Sequence, residues 1–298
     1  MTPVRTLAVL GVGLIGGSFA LALRASGLVE RVVGVGRTRA NLEVAQHAGI
    51  VDAAVTLDDD WTAAVGDAEL VLVATPVAQY PALLGALAPQ LAPHTIVTDA
   101  GSTKQDVVAA ARAALGNAFA RFVPGHPVAG SEQSGAAAAD ASLFAGREVI
   151  LTPVAATDAA ALARVTACWQ AAGARVTTLT PERHDAVLAA VSHLPHVLAF
   201  AFMHLMATRA DGAETLSHAG AGFRDFTRIA ASAPEMWRDI AVANRAALGA
   251  ELDRYRAALD RVAQLVAAGD GGALAALFER AARARRDWSP DAEGDGHG

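Results

Sequence analysis

Three short polar clusters interrupt otherwise apolar runs, and their residue types could do acid–base and anion-binding chemistry. The first is Asp99-Ala100-Gly101-Ser102-Thr103-Lys104. The second is Gly125-His126-Pro127-Val128-Ala129-Gly130-Ser131-Glu132. The third is spread over Ser192-His193-Leu194-Pro195-His196, Gly222-Phe223-Arg224-Asp225-Phe226-Thr227-Arg228 and Trp237. A neutral imidazole can take the proton an alcohol loses on oxidation, because its ordinary pKa lies near neutrality. A guanidinium is a natural fork for a carboxylate. His193 and His196 are three apart and share a face if a helix survives Pro195. A metal needs more ligands than that pair, and none is expected.

A fourth cluster is built from glycine. Gly11-Val12-Gly13-Leu14-Ile15-Gly16 reads G-x-G-x-x-G. It follows an apolar strand-like run and opens a helix-like one, the context in which this pattern binds a dinucleotide. Gly11 would permit the tight turn, Gly13 the approach of a pyrophosphate, and Gly16 close packing of helix on strand. Leu14 and Ile15 complete the loop, and the helix N-terminus that follows would offer free N–H groups to phosphate. At the end of the second strand the chain reads Gly36-Arg37-Thr38-Arg39, with no acidic residue to hold a ribose 2′-hydroxyl. Arg37, Thr38 and Arg39 instead offer positive charge and a hydroxyl for a 2′-phosphate, so NADP is expected over NAD, with NAD still usable. The bland alternative is a solvated helix start. Thr75-Pro76 ends another buried strand, where it would border the nicotinamide ribose or simply make a turn.

These clusters need elements to hold them. Leu7–Leu10, Arg31–Gly36, Leu70–Ala74, Thr95–Thr98 and Arg147–Thr152 read as strands. Gly17–Ser26, Thr38–Ala48, Ala78–Leu91, Thr103–Leu115 and Ala159–Ala172 read as helices between them. That alternation implies an α/β Rossmann-type, doubly wound and mainly parallel sheet. After about Pro181 the pattern turns all-helical: Arg183–Ala210 with an interruption at Pro195, then Pro234–Val266 and Gly272–Trp288. The expected domains are therefore 1–180, binding dinucleotide, and 181–288, helical. The last ten residues, Ser289–Gly298, read as a disordered tail.

Bulk properties narrow the classes. With 298 residues, 53% of them apolar, the chain can build two cores. A net charge of −6 and the lack of a basic run argue against a nucleic-acid partner. One cysteine, Cys168, excludes an intrachain disulfide and suits a reducing compartment, so a cytoplasmic protein is expected. The apolar run Leu7–Leu23 resembles a signal peptide, but its four glycines and the strand that follows favour a βαβ unit. No other stretch reads as a membrane span, and no membrane partner is expected.

Taken together and in this order, the dinucleotide fingerprint, G-S-T-K, G-H-P-V-A-G-S-E, S-H-L-P-H and G-F-R-D-F-T-R resemble the prephenate/arogenate (cyclohexadienyl) dehydrogenase family from about residue 6 to about 285. The resemblance implies oxidative decarboxylation of prephenate or arogenate in tyrosine biosynthesis. The C4 hydride of the substrate passes to a nicotinamide, its hydroxyl proton passes to a base, and loss of CO₂ makes the ring aromatic. His126 matches the family's catalytic histidine, and Ser102 a serine that hydrogen-bonds it. Ser102 equally suits the N-cap of the helix starting near Thr103, and Lys104 reads as a solvated first-turn residue. Arg228 matches the arginine that grips a substrate carboxylate; Asp225 could pair with it on a helix, and Arg224 could add a second cation. His196 would border the substrate side chain, with Glu132 and Trp237 near the site entrance and His193 more structural. A homodimer through the helical domain is also implied, and feedback inhibition by tyrosine is expected because the product resembles the substrate. Other Rossmann-plus-helical enzymes, acting on β-hydroxy acids or imines, and a non-catalytic dinucleotide sensor are the competing readings.

Overall fold

A computed structural model describes residues 2–130 and 133–288. The chain runs β1 (Val4–Leu10), α1 (Leu14–Ala25), β2 (Val29–Gly36), α2 (Arg39–His47), β3 (Ala53–Thr56), α3 (Trp61–Ala64), β4 (Leu70–Val73), α4 (Tyr80–Leu87), β5 (Ile96–Asp99), α5 (Gln105–Leu115), β6 (Phe122–Val123), β7 (Gly125–Pro127) and β8 (Glu148–Leu151). It continues α6 (Ala159–Ala171), β9 (Arg175–Thr178), α7 (Pro181–Leu188), α8 (Leu194–Thr208), α9 (Gly212–Ser217), α10 (Ala221–Thr227), α11 (Pro234–Ala243), α12 (Arg245–Ala267) and α13 (Gly271–Asp287).

Six strands form one parallel sheet in the order β3-β2-β1-β4-β5-β6. Its central strands are apolar on both faces because helices cover both. Leu7 and Val9 of β1, with Leu70 and Leu72 of β4, join the core around Phe19, Phe144 and Trp169. Their neighbours Ala8, Leu10, Val71 and Val73 point the other way, to Tyr80, Leu84, Val107 and Phe122. Strand order reverses between β1 and β4, and the crevice outside their carboxyl ends is where such sheets bind ligands. This is the Rossmann architecture expected.

Several elements differ from the sequence expectation. The expected strand Arg147–Thr152 does not join the large sheet. As β8 it pairs antiparallel with β7 and parallel with β9 in a second, three-stranded sheet. β3, β6, β7 and β9, of two to four residues each, were not read from the sequence. The first helix begins at Leu14, capped by Gly13, rather than at Gly17. The fifth begins at Gln105, with Lys104 rather than Ser102 at its N-cap.

The run Pro181–Thr208 is helical throughout its 28 residues. A π-helical turn at Ala189–His193 sits just before Pro195, which lies in the first turn of α8. Proline has no N–H to donate, and the wider turn absorbs that defect without ending the helix. With a mean hydropathy of 1.8 this run is long and apolar enough to cross a membrane by length and composition, contrary to expectation. Its π turn nevertheless carries buried His193, and α7 carries buried His184 and Asp185, each hydrogen-bonded within the protein.

Among the described residues, those up to Leu248 form one compact unit and those from Gly249 onward a second. The stretch 181–248 thus shares a unit with the sheet. In the second unit α13 follows the left-handed Gly269, and the Asp270 carboxylate caps it by accepting from Ala273 N at 2.9 Å.

Candidate active site

The chain leaves β1 through Gly11 at φ +97°, a conformation that only glycine adopts easily. A Cβ there would lie 2.6 Å from the Ala74 carbonyl oxygen. At Gly16 a Cβ would collide with the Gly11 carbonyl and with Val9, 2.7 Å away, so helix and strand meet backbone to side chain. Gly13 faces open space. It caps α1 without a side-chain bond, and the first intrahelical N–H is that of Gly17, donating to Gly13 O at 2.8 Å. The N–H groups of Leu14, Ile15 and Gly16 are therefore left for an anion. Across the crevice, the buried Thr75 hydroxyl has no hydrogen-bond partner among the described residues, and Pro76 is exposed. This cradle fits a dinucleotide pyrophosphate.

Arg37, Thr38 and Arg39 are all exposed at the end of β2. Arg39 pairs with Asp59 at 3.2 Å, and Thr38 caps α2 through its backbone only. Asn41, which the sequence did not single out, donates to Val12 O at 2.7 Å and accepts from Ala136 N at 2.8 Å. Ser18 accepts from Asp140 N at 2.9 Å. Together they strap the segment after β7 onto the glycine loop and α1.

β7 places His126 beside that crevice, and a buried ion pair fixes its backbone. Lys104 Nζ lies 2.5 Å from Asp99 Oδ2, both side chains fully buried. Asp99 Oδ1 accepts from Gly125 N at 2.9 Å, while Lys104 Nζ donates to Gly125 O at 2.6 Å. Asp99 also accepts from Gly101 N at 2.8 Å and from the Tyr80 hydroxyl at 3.1 Å. Lys104 is thus a core strut, not the solvated residue expected. Gly125 must be small, since a Cβ would lie 3.1 Å from Asp99 O and 3.0 Å from Leu151.

His126 Nδ1 is 2.8 Å from His184 Nε2, and His184 Nδ1 is 2.8 Å from Asp185 Oδ1. Asp185 also accepts from Lys104 N at 2.8 Å and Gln105 N at 2.9 Å, capping α5 from another helix. Burial, then the charges of His184, Lys104 and His193, hold the His126 pKa well below its usual value. Burial likewise lowers that of His184, although the Asp185 hydrogen bond opposes it. Asp185 stays below the ordinary carboxylate range: burial, its largest influence, raises it, but the bond from His184 and the backbone N–H donors outweigh that. His126 is accordingly neutral near pH 7 and can accept a proton. Ser102 is half-buried and makes no hydrogen bond to His126.

The helical residues gather around Trp237. His196 stacks on it at 3.6 Å between ring centroids, and His193 meets it edge-on at 6.2 Å. The π turn lets both histidines reach one indole. His193 Nδ1 is 3.0 Å from Asn244 Nδ2, which also donates to Asp185 O at 2.8 Å. Burial pushes the His193 pKa down to about 4. The Trp237 indole N–H is buried without a partner among the described residues. A cleft of about 550 Å³ is lined by Met203, Phe223, Arg224, Asp225, Thr227 and Arg228 among others. Arg224, Asp225 and Arg228 are exposed on it. The Arg228 charge reaches His196, whose pKa is lowered first by burial and also by that charge. Glu132 and the Ser289–Gly298 tail lie outside the described residues.

A Rossmann cradle, a buried neutral histidine and an arginine-lined cleft together mark a nicotinamide-dinucleotide-dependent oxidoreductase of the two-part, sheet-plus-helices class. Two family models, "Prephenate dehydrogenase, nucleotide-binding domain" and "Prephenate dehydrogenase, dimerization domain", match residues 19–178 and 180–280. The chain belongs to the prephenate dehydrogenase family. It is 36% identical to the cyclohexadienyl dehydrogenase of Zymomonas mobilis, covering 96% of each chain. The crystal structure of A. aeolicus prephenate dehydrogenase with hydroxyphenyl propionate and NAD+ superposes with a TM-score of 0.88 at 33% identity, covering 95% of this chain and 98% of that one. Synechocystis arogenate dehydrogenase superposes with a TM-score of 0.79 at 30% identity, covering 96% of this chain and all of that one.

Proposed function

We propose that this chain oxidatively decarboxylates prephenate, arogenate or both, with NADP preferred over NAD. The observation that carries this reading is His126: buried, neutral, held on one ring nitrogen by His184 and mounted on a strand at the cofactor crevice. A bound nicotinamide dinucleotide would accept the hydride from the substrate's C4. His126 takes the C4 hydroxyl proton as the carbonyl forms. Arg228, with Arg224 beside it, holds a substrate carboxylate in the cleft, and the His196–Trp237 stack borders the side chain. Ser102, half-buried in the loop before Lys104, orients the reacting hydroxyl.

The NADP preference rests on Arg37 and Thr38 standing at the end of β2 where an acidic residue would select NAD. Arg39 helps less, since Asp59 already engages it. A homodimer is supported by the family model spanning 180–280 and by exposed apolar side chains: Val191, Leu205 and Phe226 in the first unit, Leu259, Val266 and Phe278 in the second. The meeting of the two family models near residue 179 supports a functional boundary near 180. Tyrosine, which resembles the product, would inhibit at the substrate cleft. A cytoplasmic site of action suits the single reduced cysteine and diffusible substrates.

The test is a matrix of four assays following reduced nicotinamide: prephenate or arogenate, each with NADP or NAD. Turnover with either substrate supports the reaction class, and the specificity constants rank both choices. No turnover by protein that still binds dinucleotide would turn attention to β-hydroxy acids and imines.

A further inference from the structure

We propose that His184 and Asp185 form a positioning relay that locks His126 in one tautomer, with its proton on Nδ1 and the Nε2 lone pair free for the reacting hydroxyl. The role of that lone pair rests on the reading of His126 as proton acceptor; the tautomer itself does not.

The argument is a count of protons. Asp185 receives four donors: His184 Nδ1 and Lys104 N on Oδ1, and Gln105 N and Nε2 on Oδ2, at 2.8, 2.8, 2.9 and 3.2 Å. An ionised carboxylate only accepts, so His184 must carry its proton on Nδ1. His184 is fully buried and neutral, which leaves Nε2 bare. The 2.8 Å contact between His184 Nε2 and His126 Nδ1 then requires a proton, and only His126 can supply it. The opposite tautomer of His126 would bring two lone pairs face to face in a buried site. When Nε2 takes the substrate proton, the imidazolium formed keeps its Nδ1–H on His184, and the Asp185 charge stabilises it through the ring. No proton moves along the relay.

The relay is itself held from several sides. Asn244 donates to the Asp185 carbonyl and to His193 Nδ1. Asp99 at the end of β5, Lys104 at the N-cap of α5 and His193 from the π turn supply other charged or titratable groups facing it, with Asp106 on α5 beyond Asp185. None of this was legible locally, because Arg183-His184-Asp185 reads as an ordinary polar helix start.

Two measurements test it. Imidazole ¹⁵N NMR of the full-length protein, without substrate, should show His126 protonated at Nδ1 and bare at Nε2 near pH 7. The Nε2–H form as the main species would overturn the proposal whatever the enzyme's activity. Second, His184→Phe should lower kcat by about 10²-fold or more, the scale of a misplaced base, with KM for substrate and cofactor within about threefold. His184→Gln, whose amide oxygen can still accept, should recover part of the loss. Equal kcat in His184→Phe and the unchanged protein would also overturn it, and dinucleotide binding by each variant shows that it is folded. If the unchanged protein turns over neither substrate, the function reading fails while the NMR result still decides the tautomer.

Discussion

Lys104 Nζ lies 2.6 Å from the Gly125 carbonyl oxygen, so an ammonium with no solvent exposure holds the backbone next to His126. Its other partner, Asp99, has no exposure either. Breaking one side of such a pair leaves an uncompensated buried charge, which costs about 3–5 kcal/mol. Lys104→Met should therefore lower unfolding free energy by roughly that amount in urea titrations. Adding Asp99→Asn should restore part of it, because the stranded carboxylate is then gone. A loss below about 1 kcal/mol in Lys104→Met would show the pair to be a minor strut.

The buried histidines make stability depend on pH with a definite sign. His193 has a pKa of about 4 in the folded protein, against about 6.5 when exposed. Between those values the unfolded chain binds a proton that the folded one refuses, so stability is complete above about pH 6.5 and falls as pH drops toward about 4. His193 alone would contribute up to about 3 kcal/mol over that window. His126 and His184 shift in the same direction, and the lowered Asp185 pKa removes more stability below the ordinary carboxylate range. Urea midpoints should drop clearly between about pH 7 and about pH 5. Equal midpoints at those two values would contradict the burial of neutral imidazoles.

His126→Asn should lower kcat by about 10²- to 10⁴-fold, the usual share of a positioned base. KM for the substrate should change little, since the proposed carboxylate site is at Arg228 and not at His126. In the unchanged protein the acid limb of kcat/KM should fall below the ordinary histidine value, because burial lowers the His126 pKa. Near-normal kcat in His126→Asn would remove it from the chemistry.

The large sheet was legible because its strands are runs of Val, Leu and Ala closed by glycines. Gly11, Gly13 and Gly16 could be placed because strand, turn and helix follow in order. His126 and the arginine segment stood out as polar residues in a distinctive motif. What stayed hidden depends on contacts far apart in sequence. Asp185 caps α5 from 80 residues away, and Asn244 reaches Asp185 across 59. Lys104 looked solvated because its neighbours are polar, and only the fold brings Asp99 and Gly125 around its ammonium. The joining of α7 to α8 was missed because a proline normally ends a helix, and local sequence does not reveal that a π turn will accommodate it.

Arg228 is the sharpest test of the substrate side. It stands on a cleft of about 550 Å³, and its charge already lowers the pKa of His196, which stacks on Trp237. A charge-assisted hydrogen bond to a carboxylate contributes about 1.5–3 kcal/mol, so Arg228→Ala should raise substrate KM by roughly 10- to 100-fold. The KM for dinucleotide should hold, because the cradle at Gly11–Gly16 is built from other residues. Arg228→Lys should recover only part of the affinity, since an ammonium cannot make the two parallel bonds of a guanidinium. Arg224→Ala should have a smaller effect in the same direction. An unchanged substrate KM in Arg228→Ala would move the carboxylate site away from this cleft, while an equal rise for both cations would make them a joint clamp.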